Sequence, residues 1–179
     1  MMKQGTVYVL DANVLVQAHR RWYAFSFHPG FWGFLLIMHA QGRVVSIDRV
    51  RKEILAGDEL EQWVAAKTPK TLFESTETPE VVGNFASMMQ WVQEHQQFKT
   101  EAKAEFASVA DGWLPAYALA HPNHVVVTHE ELSPDAKKRV PLPNVCKQFG
   151  VPWIDTFAML RELKARFVME KQEDGEDWL

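Results

Sequence analysis

Short apolar runs rich in β-branched residues recur along the chain, and most are followed by stretches whose apolar positions fall at helical spacing. Thr6 to Leu10 (TVYVL), Arg43 to Ile47 (RVVSI), Val125 to Thr128 (VVVT) and Val151 to Ile154 (VPWI) read as strands. Thr71 to Ser75 is a weaker extended piece, and Val140 to Pro143 another. After Asn13 to Arg20 and a loop carrying His28-Pro29-Gly30, an apolar helix spans Phe31 to Gln41 and is stopped by Gly42. Asp48 stands where a side-chain oxygen caps the first amides of a helix from Arg49 to Ala56. The pattern predicts further helices over Glu59 to Lys67, Pro79 to Gln97 and Glu101 to His121, the last broken near Ser108. Asn144 to Gln148 is a short helical turn, and Asp155 caps a final helix from Thr156 to Met169.

Strands separated by helices call for right-handed βαβ crossovers and a parallel sheet covered on both faces. The expected fold is therefore a three-layer α/β/α sandwich of Rossmann-like type, with a central parallel sheet of four or five strands. In that architecture the strand carboxyl ends meet at a crevice, and function is expected there. No repeat or low-complexity stretch divides the sequence, so one domain over residues 1–170 is expected, followed by an acidic tail at 171–179.

Composition narrows the function. With 179 residues, 47% of them hydrophobic and 23% charged, the chain has ordinary globular make-up. A formal net charge of −4 argues against a protein that coats nucleic acid by bulk positive potential, but not against an enzyme with a local basic rim. The single cysteine, Cys146, excludes an internal disulfide and disfavours a thiolate zinc site, and the seven histidines show no HExxH spacing. A reducing, cytoplasmic setting is expected. The apolar run before Asp11 is too short for a signal peptide, and no stretch reaches the ~18 apolar residues of a membrane span.

Four loci carry acids that this fold can bring together. Asp11 and Asn13 follow the first strand in LDANVL, and Glu53 lies on the helix after the second in DRVRKEI. Asp111 lies in VADGWLPAYALA, and Thr128 and Glu130 end the third clear strand in VVVTHEE. Two carboxylates about 4 Å apart repel by roughly 4 kcal/mol at an effective dielectric of 20, so such a cluster needs protons or cations. Hard oxygen ligands favour one or two Mg²⁺ or Mn²⁺ ions, which activate water and stabilise charge growing on a phosphate. Plain readings compete with this one. Asp11 and Asn13 also suit helix caps, Glu53 a solvated helix carboxylate that Arg49 could pair with, and Asp111 a first-turn acid beside Pro115, which marks a helix start or a kink.

The order and spacing of Asp11, Glu53, Asp111 and Glu130, with Asn13 and Thr128 in supporting polar positions, resemble the PIN-domain ribonucleases. The stretches HPGFWGFL, VVTHE and VPLPNVCKQFGV further resemble a bacterial PIN branch of unknown function. The resemblance implies a Mg²⁺- or Mn²⁺-dependent endoribonuclease with Asp11, Glu53 and Asp111 on the metal and Glu130 assisting. It also implies RNA as substrate, and the habits of many relatives: homodimers, and toxins paired with an antitoxin protein. The family commonly has Asp where this chain has Glu130. Arg20, Arg21, Lys137, Lys138 and Arg139 are the candidate RNA contacts. Trp22, Tyr23, Phe27, Phe31 and Trp32 are either packing or a surface for bases, with packing favoured. Two rivals are a catalytically degenerate module that binds RNA or protein, and a haloacid-dehalogenase-like phosphatase. The latter needs a second Asp where this chain has Asn13.

Overall fold

The structure is a computed structural model and describes residues 5–54 and 57–168. Five strands form the sheet: β1 (Val7–Leu10), β2 (Val44–Ile47), β3 (Phe73–Glu74), β4 (His124–Val127) and β5 (Trp153–Ile154). Every pairing is parallel, and the strand order is β3-β2-β1-β4-β5. Helices cover it in a three-layer α/β/α sandwich. β1 is central because its side chains are apolar on both faces: Tyr8, Val9 and Leu10 are all buried. Full burial of each such large side chain contributes about 1.5–3 kcal/mol.

The chain leaves β1 toward β2 on one side and returns to β4 on the other, so the strand order reverses between β1 and β4. The two strands are in register from Val7 opposite His124 to Leu10 opposite Val127, and the Asp11 amide donates to Val127 O at 3.0 Å. The carboxyl ends of these strands therefore open a crevice with Asp11 and Thr128 side by side at its base.

The helices are α1 (Ala12–Gln17), α2 (Pro29–Ala40), α3 (Asp48–Glu53), α4 (Glu59–Lys67), α5 (Pro79–Glu94), α6 (Thr100–Ser108), α7 (Trp113–Ala120), α8 (Leu142–Phe149) and α9 (Thr156–Glu162). A π-helical turn, Ala18–Trp22, extends α1. Gly42, with φ of +68°, ends the α2 segment as expected, and the break near Ser108 is the turn that separates α6 from α7. Asp155 caps α9 by accepting from Ala158 N at 2.7 Å.

Four expectations need correction. Asp48 is the first residue of α3 rather than its cap, and its carboxylate accepts from Thr76 Oγ1 at 2.8 Å. It favours the helix through the dipole. Leu142 and Pro143 are helical, because Pro fits the first turn where its missing N–H costs nothing, and α8 runs on to the left-handed Gly150. The helix after β5 stops at Glu162, with Lys164 at positive φ. α5 ends at Glu94, as His95 turns extended. Ala56, Met169 and the tail at 171–179 lie outside the described residues.

Candidate functional site

Asp11 sits where β1 ends, 3% exposed, and its Oδ2 accepts the Thr128 hydroxyl hydrogen at 2.7 Å. Local geometry explains why that hydrogen points there. Asn13 Oδ1 accepts from the His129 amide at 3.1 Å, which turns Asn13 Nδ2 toward Thr128 Oγ1 at 3.0 Å. The Glu130 amide also donates to that oxygen, at 3.2 Å. With two donors already on Thr128 Oγ1, its one hydrogen is directed to Asp11. Asn13 and Thr128 thus hold Asp11 rather than cap a helix, and α1 receives no side-chain cap from Asp11 either.

Asp111 is carried by a 3-10 turn, Ala110–Gly112, that opens α7. Pro115 falls in the first turn of that helix, where no backbone donor is required, so the proline marks a start and not a kink. Glu53, the last residue of α3, clamps this turn: its Oε1 accepts from Ala110 N at 2.6 Å. Arg49 does not pair with Glu53. Its guanidinium lies 4.3 Å from the Trp113 ring centroid and donates to Thr76, while Trp113 stacks on Phe85 at 3.8 Å.

Glu53, Asp111 and Glu130 line one cleft of about 330 Å³, and Asp11 is buried near enough for its charge to act on Asp111. Burial is the first cause that raises Asp111 to about 8, and the negative charges of Asp11, Glu130 and Glu53 add to it. Asp11 is pushed up to about 7, again mainly by burial, with Glu130 and Glu53 raising it and the Thr128 hydrogen bond opposing. Glu130 is anchored: Oε2 accepts from Leu142 N at 2.8 Å, at the start of α8, and pairs with Arg139 Nη2 at 3.3 Å. Cys146 is fully buried in α8, and burial with the charges of Asp11 and Glu130 raises its thiol pKa strongly, so it is not a nucleophile.

The donor set suits a hard divalent cation. Carboxylate oxygens line the cleft, with no thiol or imidazole among the described residues that line it, and burial together with the neighbouring carboxylates raises the proton affinity of Asp11 and Asp111. Among the described residues, however, no three His, Cys, Asp or Glu side chains close on a single point as a finished metal cage.

Of the five candidate RNA contacts, Arg139 lines the cleft, whereas Arg20, Arg21, Lys137 and Lys138 are exposed elsewhere on the surface. Phe31 and Trp32 are core, Tyr23 stacks on Phe31, and Phe27 is 67% exposed. Glu105, on α6, also lines the cleft and was not legible in the sequence, where it reads as a plain solvated helix acid. Among the described residues no helix is long and apolar enough to cross a membrane. The chain matches none of the curated proteins. A family model does match, over residues 8–167, and by that span the chain belongs to the family described as a domain of unknown function, DUF4411.

Proposed function

We propose that this chain is a Mg²⁺- or Mn²⁺-dependent endoribonuclease, with Asp11, Glu53 and Asp111 as metal ligands and Glu130 in support. One observation carries the reading. Acids from separated stretches come together where the strand order reverses: Glu53, Asp111 and Glu130 line the cleft, and the charge of buried Asp11 adds to the raised proton affinity of Asp111. A bound ion supplies charge neutralisation at the phosphate and acidifies water. Asp11, fixed by Thr128, and Asp111, fixed by the turn that Glu53 clamps, would be the residues to hold such an ion. Arg139, paired with Glu130 at the cleft, would supply the cationic group of the rim for a phosphate oxygen.

The resemblance to PIN-domain ribonucleases supports the choice of RNA, and extends the reading to a cytoplasmic toxin, homodimeric and paired with an antitoxin. The test is cleavage of single-stranded RNA by purified protein with Mn²⁺, beside Asp11→Asn and Asp111→Asn. Wild type cleaves, and each variant loses on the order of 100-fold or more. Equal cleavage by all three would reject the site. Growth arrest on expression of wild type but not Asp11→Asn tests the toxin role.

A second reading, a degenerate module that binds RNA or protein without cutting, is favoured by the open spacing of the acids and by the Arg139–Glu130 pair. Calorimetric titration separates the two. Mn²⁺ uptake lost in Asp11→Asn belongs to the enzyme, and absence of uptake to the module.

A further inference from the structure

A second hollow, of about 370 Å³, lies beside the acid cleft at the carboxyl ends of β4 and β5. Thr128 and Glu130 border it, and Glu130 lines both spaces, so the two are neighbours with a common wall. Three rings line the hollow: His129, Trp153 and Phe157. Two of these rings are held in place. His129 and Phe157 pack against Trp22 at centroid distances of 4.8 and 5.3 Å, and His129 Nε2 is hydrogen-bonded to Thr156 Oγ1 at 2.8 Å. Glu131 and Asp155, both exposed, supply carboxylates to the same hollow.

The lining chemistry is selective. Ring faces accept a flat partner by stacking, and ionised carboxylates accept hydrogen bonds but donate none. No lysine or arginine lines the hollow among the described residues, so a phosphate is repelled from it, while Arg139 stands in the adjoining cleft. A strand crossing the Glu130 wall can therefore leave its phosphate on one side and its base on the other.

We propose that this hollow is a base subsite. It takes the unpaired base next to the phosphate in the acid cleft, stacks it on Phe157 and Trp153, and favours bases that carry an exocyclic amine over uracil. The subsite rests on the nuclease reading of that cleft, but its test does not need cleavage. Adenosine and uridine carry no phosphate, so their binding to the full chain in EDTA does not draw on a metal or phosphate in the acid cleft. Titrations followed by ¹H–¹⁵N spectra should move the Trp153 indole signal, assigned with Trp153→Phe, and should give tighter binding of adenosine than of uridine. Phe157→Ala, checked for native fold by circular dichroism, should weaken adenosine binding about tenfold. Glu131→Gln, at an exposed loop position, should narrow the preference for adenosine.

Equal binding of both nucleosides would overturn the proposal. So would a folded Phe157→Ala with unchanged affinity, or displacement of adenosine by lysine amide at lower concentration, which would mark a pocket for a cationic side chain. Adenosine binding that depends on Phe157, in a protein that cleaves no RNA with Mn²⁺, would sustain the subsite and remove the nuclease.

Discussion

Thr128 contributes one hydroxyl hydrogen, and two amide donors on its oxygen leave Asp11 as the acceptor. Replacing it with valine keeps the shape and removes all three bonds. Thr128→Val is expected to cost about 1–3 kcal/mol in urea unfolding, since Asn13 Nδ2 and the Glu130 amide lose a partner in or near the interior. It should also lower Mn²⁺ affinity about 10–100-fold by calorimetry, the usual effect of losing a group that orients a ligand. Unchanged affinity would show that Asp11 does not need this hydroxyl. A strand-end threonine carries no such message in the sequence, because the donors that aim its hydrogen come from residues 13 and 130, and only the β1–β4 pairing brings Asn13 to it.

At the scale of elements, the Ala110–Gly112 turn decides where Asp111 stands. Gly112 is required by close approach and not by its backbone angles: a Cβ there would lie 2.9 Å from Phe85 Cε2 and 3.0 Å from Phe106 Cε1. Gly112→Ala must move those rings, and with them the Phe85–Trp113–Arg49 stack that fixes the start of α7. The expected cost is about 1–3 kcal/mol in denaturant unfolding. RNA cleavage should fall further than that loss alone implies, because Asp111 is adjacent. Full activity in a destabilised variant would separate the turn from the site. Most of the elements were legible as periodic patterns, since β1, β2 and β4 are apolar runs and α2 has a glycine stop, although the pattern places its start at Pro29 in the loop. The ends of α8 and α9 were not. A Pro-rich stretch reads equally as extended or as a first helical turn, and Lys164 terminates α9 by a positive φ that no lysine announces.

For the whole molecule, the acids set the response to pH. Asp11 and Asp111 are raised to about 7 and about 8 in the folded chain, from the ordinary 3.8. Between roughly pH 4 and those values the native state holds protons that the unfolded chain has released, so stability falls as pH rises through that window. Urea unfolding in EDTA should show the decline from pH 5 to pH 8, and Asp111→Asn should reduce it. Mn²⁺ should restore stability at pH 8, by about 2.7 kcal/mol at a hundred times its Kd, and have little effect near pH 5. Stability that rises over this range in EDTA, with no response to Mn²⁺, would contradict the acid site. By itself the sequence determined the alternation of strands and helices and hence the α/β/α layers, because periodicity and turn residues act locally along the chain. It also singled out Asp11, Glu53, Asp111 and Glu130 as candidates. Tertiary structure alone decided that Glu53, Asp111 and Glu130 line one cleft while Asp11 is buried, that Arg49 leaves Glu53 for Trp113 while Arg139 approaches Glu130, and that a hollow of aromatic rings adjoins them. Those facts depend on strand order and on contacts between residues far apart in sequence, and no local pattern encodes either.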